Sequence, residues 1–218
     1  MNTELNFDHL DYDESRTKKS TRKRILSSAY QLVVEQGIQN VTLSKILDES
    51  HVNYRNFYYY YPNIASLYED LQIIAWKTYY ELDYFKASHK TTAYERLSDL
   101  MHQFYDHVIT FSDLIKFVYE YDSNYLNAQG NERLVKAMQD LQPILQTMIQ
   151  KYDLLHEDGS IDFHAYSPHQ TILMMVFSIF AFNQRTLMLS HHYQQRGSGM
   201  DETHLKMHME MLLYALRS

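Results

Sequence analysis

The sequence predicts an all-α protein, a small three-helix domain followed by a larger helical one. Three observations predict this. Of 218 residues only 5 are Gly and 3 are Pro, well below the roughly 12% of average usage, so few turns can be supplied. Those glycines, at 37, 130, 159, 197 and 199, fall between stretches of helical periodicity, where glycine caps or connects helices. Thr92 with Glu95, and Ser167 with Gln170, have the spacing of capping boxes that start helices.

Taken in order, Ile25, Leu26, Ala29, Leu32 and Val33 make one amphipathic stripe from Ser20 to Gln36, closed by Gly37. Thr42 then stands as N-cap before LSKILDES, whose Leu43, Ile46 and Leu47 share a face. After a tight turn at His51 and Val52, Asn53 can cap a third helix from Tyr54, and Pro62 stops it. Beyond the first capping box, Leu97, Leu100, Phe104, Val108 and Phe111 form a stripe. Residues 131–153 read as helix with a kink or break before Pro143, and 169–192 is apolar on nearly every face after Pro168. The end of the chain is ambiguous, because LKMHMEML places apolar residues at period two. Helix formers dominate it, and Leu205, Met209, Leu212 and Leu216 give an equally good helical stripe, so helix is expected.

Composition removes whole classes of chemistry. With no Cys, disulfides, thiolate catalysis and cysteine metal sites are excluded, and a reducing compartment is the neutral expectation. The start MNTELNFDHLDYDESRTKK has no secretory h-region, so a cytoplasmic location is expected. The apolar run at 172–182 is shorter than the roughly 20 residues a bilayer requires, so no membrane partner is expected. No nucleophile elbow, phosphate loop or paired-carboxylate signature occurs. We therefore expect no enzyme, no cofactor and no resident metal. His204 and His208, spaced i, i+4, could clamp a metal, but a polar flank on a packing helix explains them better. His102 with Asp106 reads as a surface hydrogen bond.

Two short helices joined by a tight turn and packed by Ile46, Val52 and Phe57 form a helix-turn-helix. The second helix of such a unit enters the DNA major groove with its N-terminal residues nearest the bases. Here these are Tyr54, Arg55 and Asn56; Arg and Asn can read guanine and adenine bidentately. Four consecutive tyrosines, 58–61, cannot share one helix face. Tyr58 and Tyr59 are expected to turn partly toward DNA and Tyr61 inward.

Residues 22–70 resemble the DNA-binding domain of the TetR family of bacterial transcriptional repressors. Ala29, Gly37, Thr42, Ile46, Val52, Phe57, Tyr58, Tyr61 and Leu67 stand at matching positions. His51 and Arg55 replace two family glycines, and Ile64 replaces a lysine that commonly touches phosphate. The resemblance implies backbone contacts from Thr42, Tyr58 and Tyr59. It also implies a C-terminal half that binds an inducer and dimerises, often through the last two helices. The DNA-contacting set is then Arg22, Lys23, Thr42, Lys45, Asn53, Tyr54, Arg55, Asn56, Tyr58 and Tyr59.

Charge agrees with this division. Residues 16–62 carry 8 Lys or Arg against 3 acids, although the whole chain has a net charge of −7. Local basic charge suffices for phosphate neutralisation. RTKKSTRKR at 16–24 is either a solvated helix start or, as we favour, an arm along the DNA backbone or minor groove. Residues 1–15, with 5 acids and no base, read as a solvating tail; a sharper hypothesis has it compete with DNA for the basic arm.

The expected organisation is a disordered tail at 1–19, acidic then basic, a helix-turn-helix domain at 20–66, and a helical effector-binding and dimerisation domain at 67–218. Fourteen aromatics fall within 63–128; they fill a core or line an effector pocket, for which Trp76, His102, Tyr105, Phe117 and Tyr121 are the candidates. The expected function is a sequence-specific, ligand-responsive repressor, binding a palindromic duplex operator as a homodimer through its last two helices. The alternative is a helical ligand-binding or metal-binding protein without operator binding.

Overall fold

A computed structural model describes residues 5–9, 16–81, 86–125, 132–137, 139, 174–175, 177–179, 181–182 and 202–215. The described residues contain helices and turns and no strand. The main elements are α1 (Arg16–Gln36), α2 (Leu43–Ser50), α3 (Tyr54–Tyr60), α4 (Ile64–Tyr79), α5 (Ala93–Thr110), α6 (Ser112–Tyr125) and α7 (Glu202–Ala215), with single 3-10 turns at Phe7–His9 and Ile38–Asn40. The helix start at Ser167 and the break at Pro143 lie outside the described residues.

Two compact units divide the chain. One comprises Met1–Tyr80 with Asp113–Leu141, the other Glu81–Ser112 with Gln142–Ser218. In the first, the α1 stripe is fully inside: Ile25, Leu26, Ala29, Leu32 and Val33 are all buried. Gly37 ends the helix, its N–H donating to the Val33 carbonyl at 2.8 Å with φ at 79°, a conformation an L side chain rarely adopts. α1 begins at Arg16 instead of Ser20, so the basic stretch from Arg16 to Lys19 is helical and not part of a tail. Upstream, Leu5 is buried and the Asn6 N–H donates to Thr78 Oγ1 of α4 at 3.1 Å. A buried leucine is what anchors a segment that charge alone would leave solvated.

α2, α3 and α4 are each started by a side-chain oxygen that satisfies an orphan amide. Thr42 Oγ1 accepts from the Lys45 N–H at 3.4 Å, Asn53 Oδ1 from the Asn56 N–H at 2.8 Å, and Asn63 Oδ1 from the Ser66 N–H at 2.8 Å. Between α2 and α3, His51 takes the left-handed conformation (φ 53°, ψ 43°), keeping the turn that glycine makes more easily. α6 belongs to the same unit and buries Leu114, Ile115, Phe117, Val118 and Tyr121.

In the second unit, Thr92 and Glu95 form the capping box, each side chain accepting from the other's backbone N–H at 3.2 Å. Leu97, Leu100, Phe104, Val108 and Phe111 are all buried. The period-two ambiguity resolves to helix: in α7, Leu205, Met209 and Leu213 are buried while Met207 and Met211 are exposed. The Tyr94 hydroxyl of α5 donates to the Leu213 carbonyl at 3.3 Å, tying α5 to α7.

Candidate nucleic-acid interface

The helix-turn-helix is built on Phe57. Its ring is fully buried with Ile46 and Val52, and the Val52 N–H donates to the Leu47 carbonyl at 3.1 Å, which fixes the turn. An inward Phe57 forces its helical neighbours outward, since successive side chains lie about 100° apart. Tyr54, Arg55 and Asn56 are exposed, as are Tyr58 and Tyr59 at 55% and 60%. Tyr61 is buried beside Phe57. The tyrosine run therefore splits between an outward and an inward part.

The other expected contacts take varied places. Thr42 and Asn53 are exposed but serve as caps, so each offers a surface atom whose orientation the helix start already fixes. Lys45 is exposed, and its ammonium donates to Gln36 Oε1 at 2.7 Å and the Asn40 carbonyl at 2.9 Å. Lys23 is exposed, with its ammonium 5.3 Å from the centre of the Phe7 ring. Arg22 departs from the expected backbone contact. It is buried over the Tyr60 and Tyr61 rings, with Nη1 at 3.9 Å from Asp70 Oδ2. Asp70, only 2% exposed, also accepts from Arg133 Nη2 at 2.6 Å. A carboxylate buried this deeply needs cationic partners, and Arg22 is one of them.

Sequence reasoning missed three parts of this unit. Lys18 lies over the Tyr59 ring at 4.7 Å and donates to its hydroxyl, joining the basic start of α1 to the exposed end of α3. Asp70 organises Arg22 and Arg133. A polar stripe on α6, Lys116, Glu120 and Asn124, grips the end of α1: Lys116 donates to the Val34 carbonyl, Glu120 Oε2 accepts from the Ile38 N–H at 3.2 Å, and Asn124 Oδ1 accepts from Gln39 Nε2 at 2.8 Å. The i, i+4, i+8 spacing of that stripe was the available signal.

The effector candidates divide between the two units. Trp76, Phe117 and Tyr121 are buried in the first, Trp76 stacked on Tyr80 with centroids 5.6 Å apart and Phe117 tilted against Tyr30. Tyr105 is buried in the second, where His102 is exposed with Nδ1 2.7 Å from the Ser98 carbonyl. His102 thus meets its own helix backbone and not Asp106. His208 stacks on Phe182 and has Nε2 2.8 Å from Ser178 Oγ; burial lowers its pKa. Among the described residues no group of three or more His, Asp or Glu could hold a metal ion, and no helix is long and apolar enough to cross a membrane.

Fold and site define a class: all-α proteins with an N-terminal helix-turn-helix carrying an exposed polar recognition helix. Residues 25–71 match the model of the bacterial regulatory proteins of the tetR family, so this segment is a TetR-type domain, as its residues indicated. No match was found among curated protein sequences. Solved structures match nearly the whole chain. A TetR-family transcriptional regulator from Mesorhizobium loti has 12% identity and a TM-score of 0.57, covering 93% of this chain and 97% of its own. TylP, a TetR regulator from Streptomyces fradiae, has 13% identity and a TM-score of 0.54, covering 93% and 86%. FadR from Thermus thermophilus, a TetR-family repressor in complex with lauroyl-CoA, has 20% identity and a TM-score of 0.51, covering 89% and 92%. The chain therefore has the fold of TetR-family transcriptional regulators.

Proposed function

We propose that this protein is a sequence-specific DNA-binding transcriptional regulator, a cytoplasmic, ligand-responsive repressor acting as a homodimer on a palindromic operator. The observation that carries the reading is the outward set Tyr54, Arg55, Asn56, Tyr58 and Tyr59, held by the Asn53 cap and the Phe57 anchor inside a segment of TetR type. Arg55 and Asn56 read base edges; Thr42, Lys45, Tyr58, Tyr59 and Lys23 position the helix on phosphates. Lys18 joins this second group through Tyr59, and Arg22 supports it from inside. No catalytic role is assigned.

The helix-turn-helix domain extends over 20–66, and 67–218 serve effector binding and dimerisation. Dimerisation through the last two helices draws support from Met174, Phe177, Met207, Met211 and Tyr214, each more than half exposed. Apolar side chains in such number on two helical segments suit a covered face. A symmetric dimer would set two copies of α3 in successive major grooves, about 34–36 Å apart. An effector that favours one spacing over another by about 1–3 kcal/mol would suffice to switch binding. The FadR match holds an acyl-CoA, which supports a ligand role for the helical half.

Selection of bound fragments from random duplex DNA tests the reading. The expected outcome is a palindromic consensus that Arg55→Ala blurs at one position per half-site. Failure to retain any duplex at low ionic strength would overturn it and favour a helical ligand-binding protein.

A further inference from the structure

Between α4 and α6, within the first unit, lies a buried polar cluster that the DNA-binding face does not use. Gln72 is fully buried and donates from Nε2 to Asp122 Oδ1 at 2.9 Å. Its Oε1 is buried without a hydrogen-bond partner, as are the Tyr68 hydroxyl and Glu69 Oε1. Buried polar atoms are seldom left unsatisfied, and here two of the three are pure acceptors. Tyr125 packs against the Tyr68 ring at 5.3 Å and stacks on Tyr121 at 5.7 Å. The Tyr121 hydroxyl feels both Glu69 and Asp122, whose charges add to burial in raising its pKa to about 12. Burial pushes the Asp122 carboxyl up to about 6. Two carboxylates, an amide oxygen and three phenol rings are thus gathered where α4 and α6 meet.

We propose that this cluster is the binding site of a protonated organic amine. An ammonium matches what the cluster presents: its charge suits the carboxylates of Glu69 and Asp122, and its N–H groups can donate to Gln72 Oε1, Glu69 Oε1 and the Tyr68 oxygen. The tyrosine rings offer faces that attract a cation and walls that hold its apolar part. A bare metal ion suits the site less well, because one or two carboxylates and aromatic walls do not make a coordination shell. The inference rests on the ligand-responsive reading above and names the chemistry of its effector. The route to DNA is short. Glu120 and Asn124 of α6, one residue from the cluster, hold Ile38 and Gln39 at the end of α1; Asp70 of α4, next to Glu69, holds Arg22. An occupant that shifts α4 against α6 would act on both grips.

Calorimetric titration of the full chain near neutral pH with phenethylamine, and with its uncharged counterpart 2-phenylethanol, tests the site. The amine is expected to bind at least about tenfold more tightly than the alcohol, and Glu69→Gln and Asp122→Asn each to lose about that factor, the scale of a charged hydrogen bond. Should either variant fail to fold, the amine-to-alcohol ratio in the unaltered protein still decides. Equal affinities, no binding of the amine, undiminished binding in both variants, or equal competition by potassium or magnesium would each overturn the assignment. Duplex DNA binding measured without amine separates the two readings. DNA binding with no amine preference sinks this inference alone, whereas amine preference without DNA binding sinks the regulator reading and leaves the site.

Discussion

The outer face of α3 and the layer between α4 and α6 are made of the same kinds of residue, tyrosines, amides and charged groups, in opposite surroundings. On α3, Tyr54, Arg55, Asn56, Tyr58 and Tyr59 stand in water, where unmet hydrogen-bonding capacity costs little and remains available to a partner. Between α4 and α6, Tyr68 and Gln72 are fully enclosed, where the same capacity must be met or costs stability. Residue type therefore says less about role than the side of the helix on which it falls. Phe57 and Leu67, buried anchors of α3 and α4, set that side in each case.

The sharpest test of this contrast lies within the tyrosine run. Phe57→Ala opens a cavity under α3 and is expected to cost about 3–5 kcal/mol, with DNA binding lost alongside. Tyr58→Ala, one residue on, removes an exposed ring and an edge contact to Phe57 at 5.5 Å and should cost about 0.5–1 kcal/mol. Thermal unfolding of the two variants measures the difference, and comparable losses would break the division into inner and outer faces. Arg55→Ala comes next. It should leave the melting temperature alone while reducing discrimination between operator and scrambled duplex by about 1–3 kcal/mol, read by fluorescence anisotropy; a stability loss with intact discrimination would place Arg55 with the inner set.

A smaller effect probes the inner set through pH. In the unfolded chain Asp122 titrates near its ordinary 3.8, whereas folding raises it to about 6, so the folded state holds the proton more tightly. Its contribution is present below the lower value and lost as pH rises through the upper one. Asp122→Asn, neutral throughout, should gain about 1 kcal/mol above that window after allowance for partial exposure, and nothing below it. Melting temperatures across the range would show roughly 2–4 °C; a pH-independent difference would remove Asp122 as the source.

Much of the outer face was legible because its determinants are local. Thr42, Asn53 and the Thr92–Glu95 box cap the helices their spacing announces, and the α1 and α5 stripes are buried as their periods require. The inner arrangement was not legible, because its partners are distant in sequence. Arg22 faces Asp70 and Tyr61, and Ile38 faces Glu120; no spacing rule links them. Leu5 was hidden for a different reason: five acids dominate the composition of residues 1–15, and nothing in that composition marks one apolar side chain among them for burial.

The smallest expected effect concerns the turn that aims the outer face. His51 sits at φ 53°, where an L side chain carries about 1–2 kcal/mol of strain, although histidine is among the residues better tolerated there. Glycine would relieve that strain but releases more entropy on unfolding, a loss of about 0.5–1 kcal/mol. His51→Gly should therefore stabilise the domain by about 0.5 kcal/mol, or roughly 1–2 °C. DNA affinity decides why histidine stands there. If it is unchanged at every salt concentration, His51 only makes the turn. If it falls and the salt dependence flattens, the exposed ring contributes a phosphate contact and belongs with Tyr58 on the outer face.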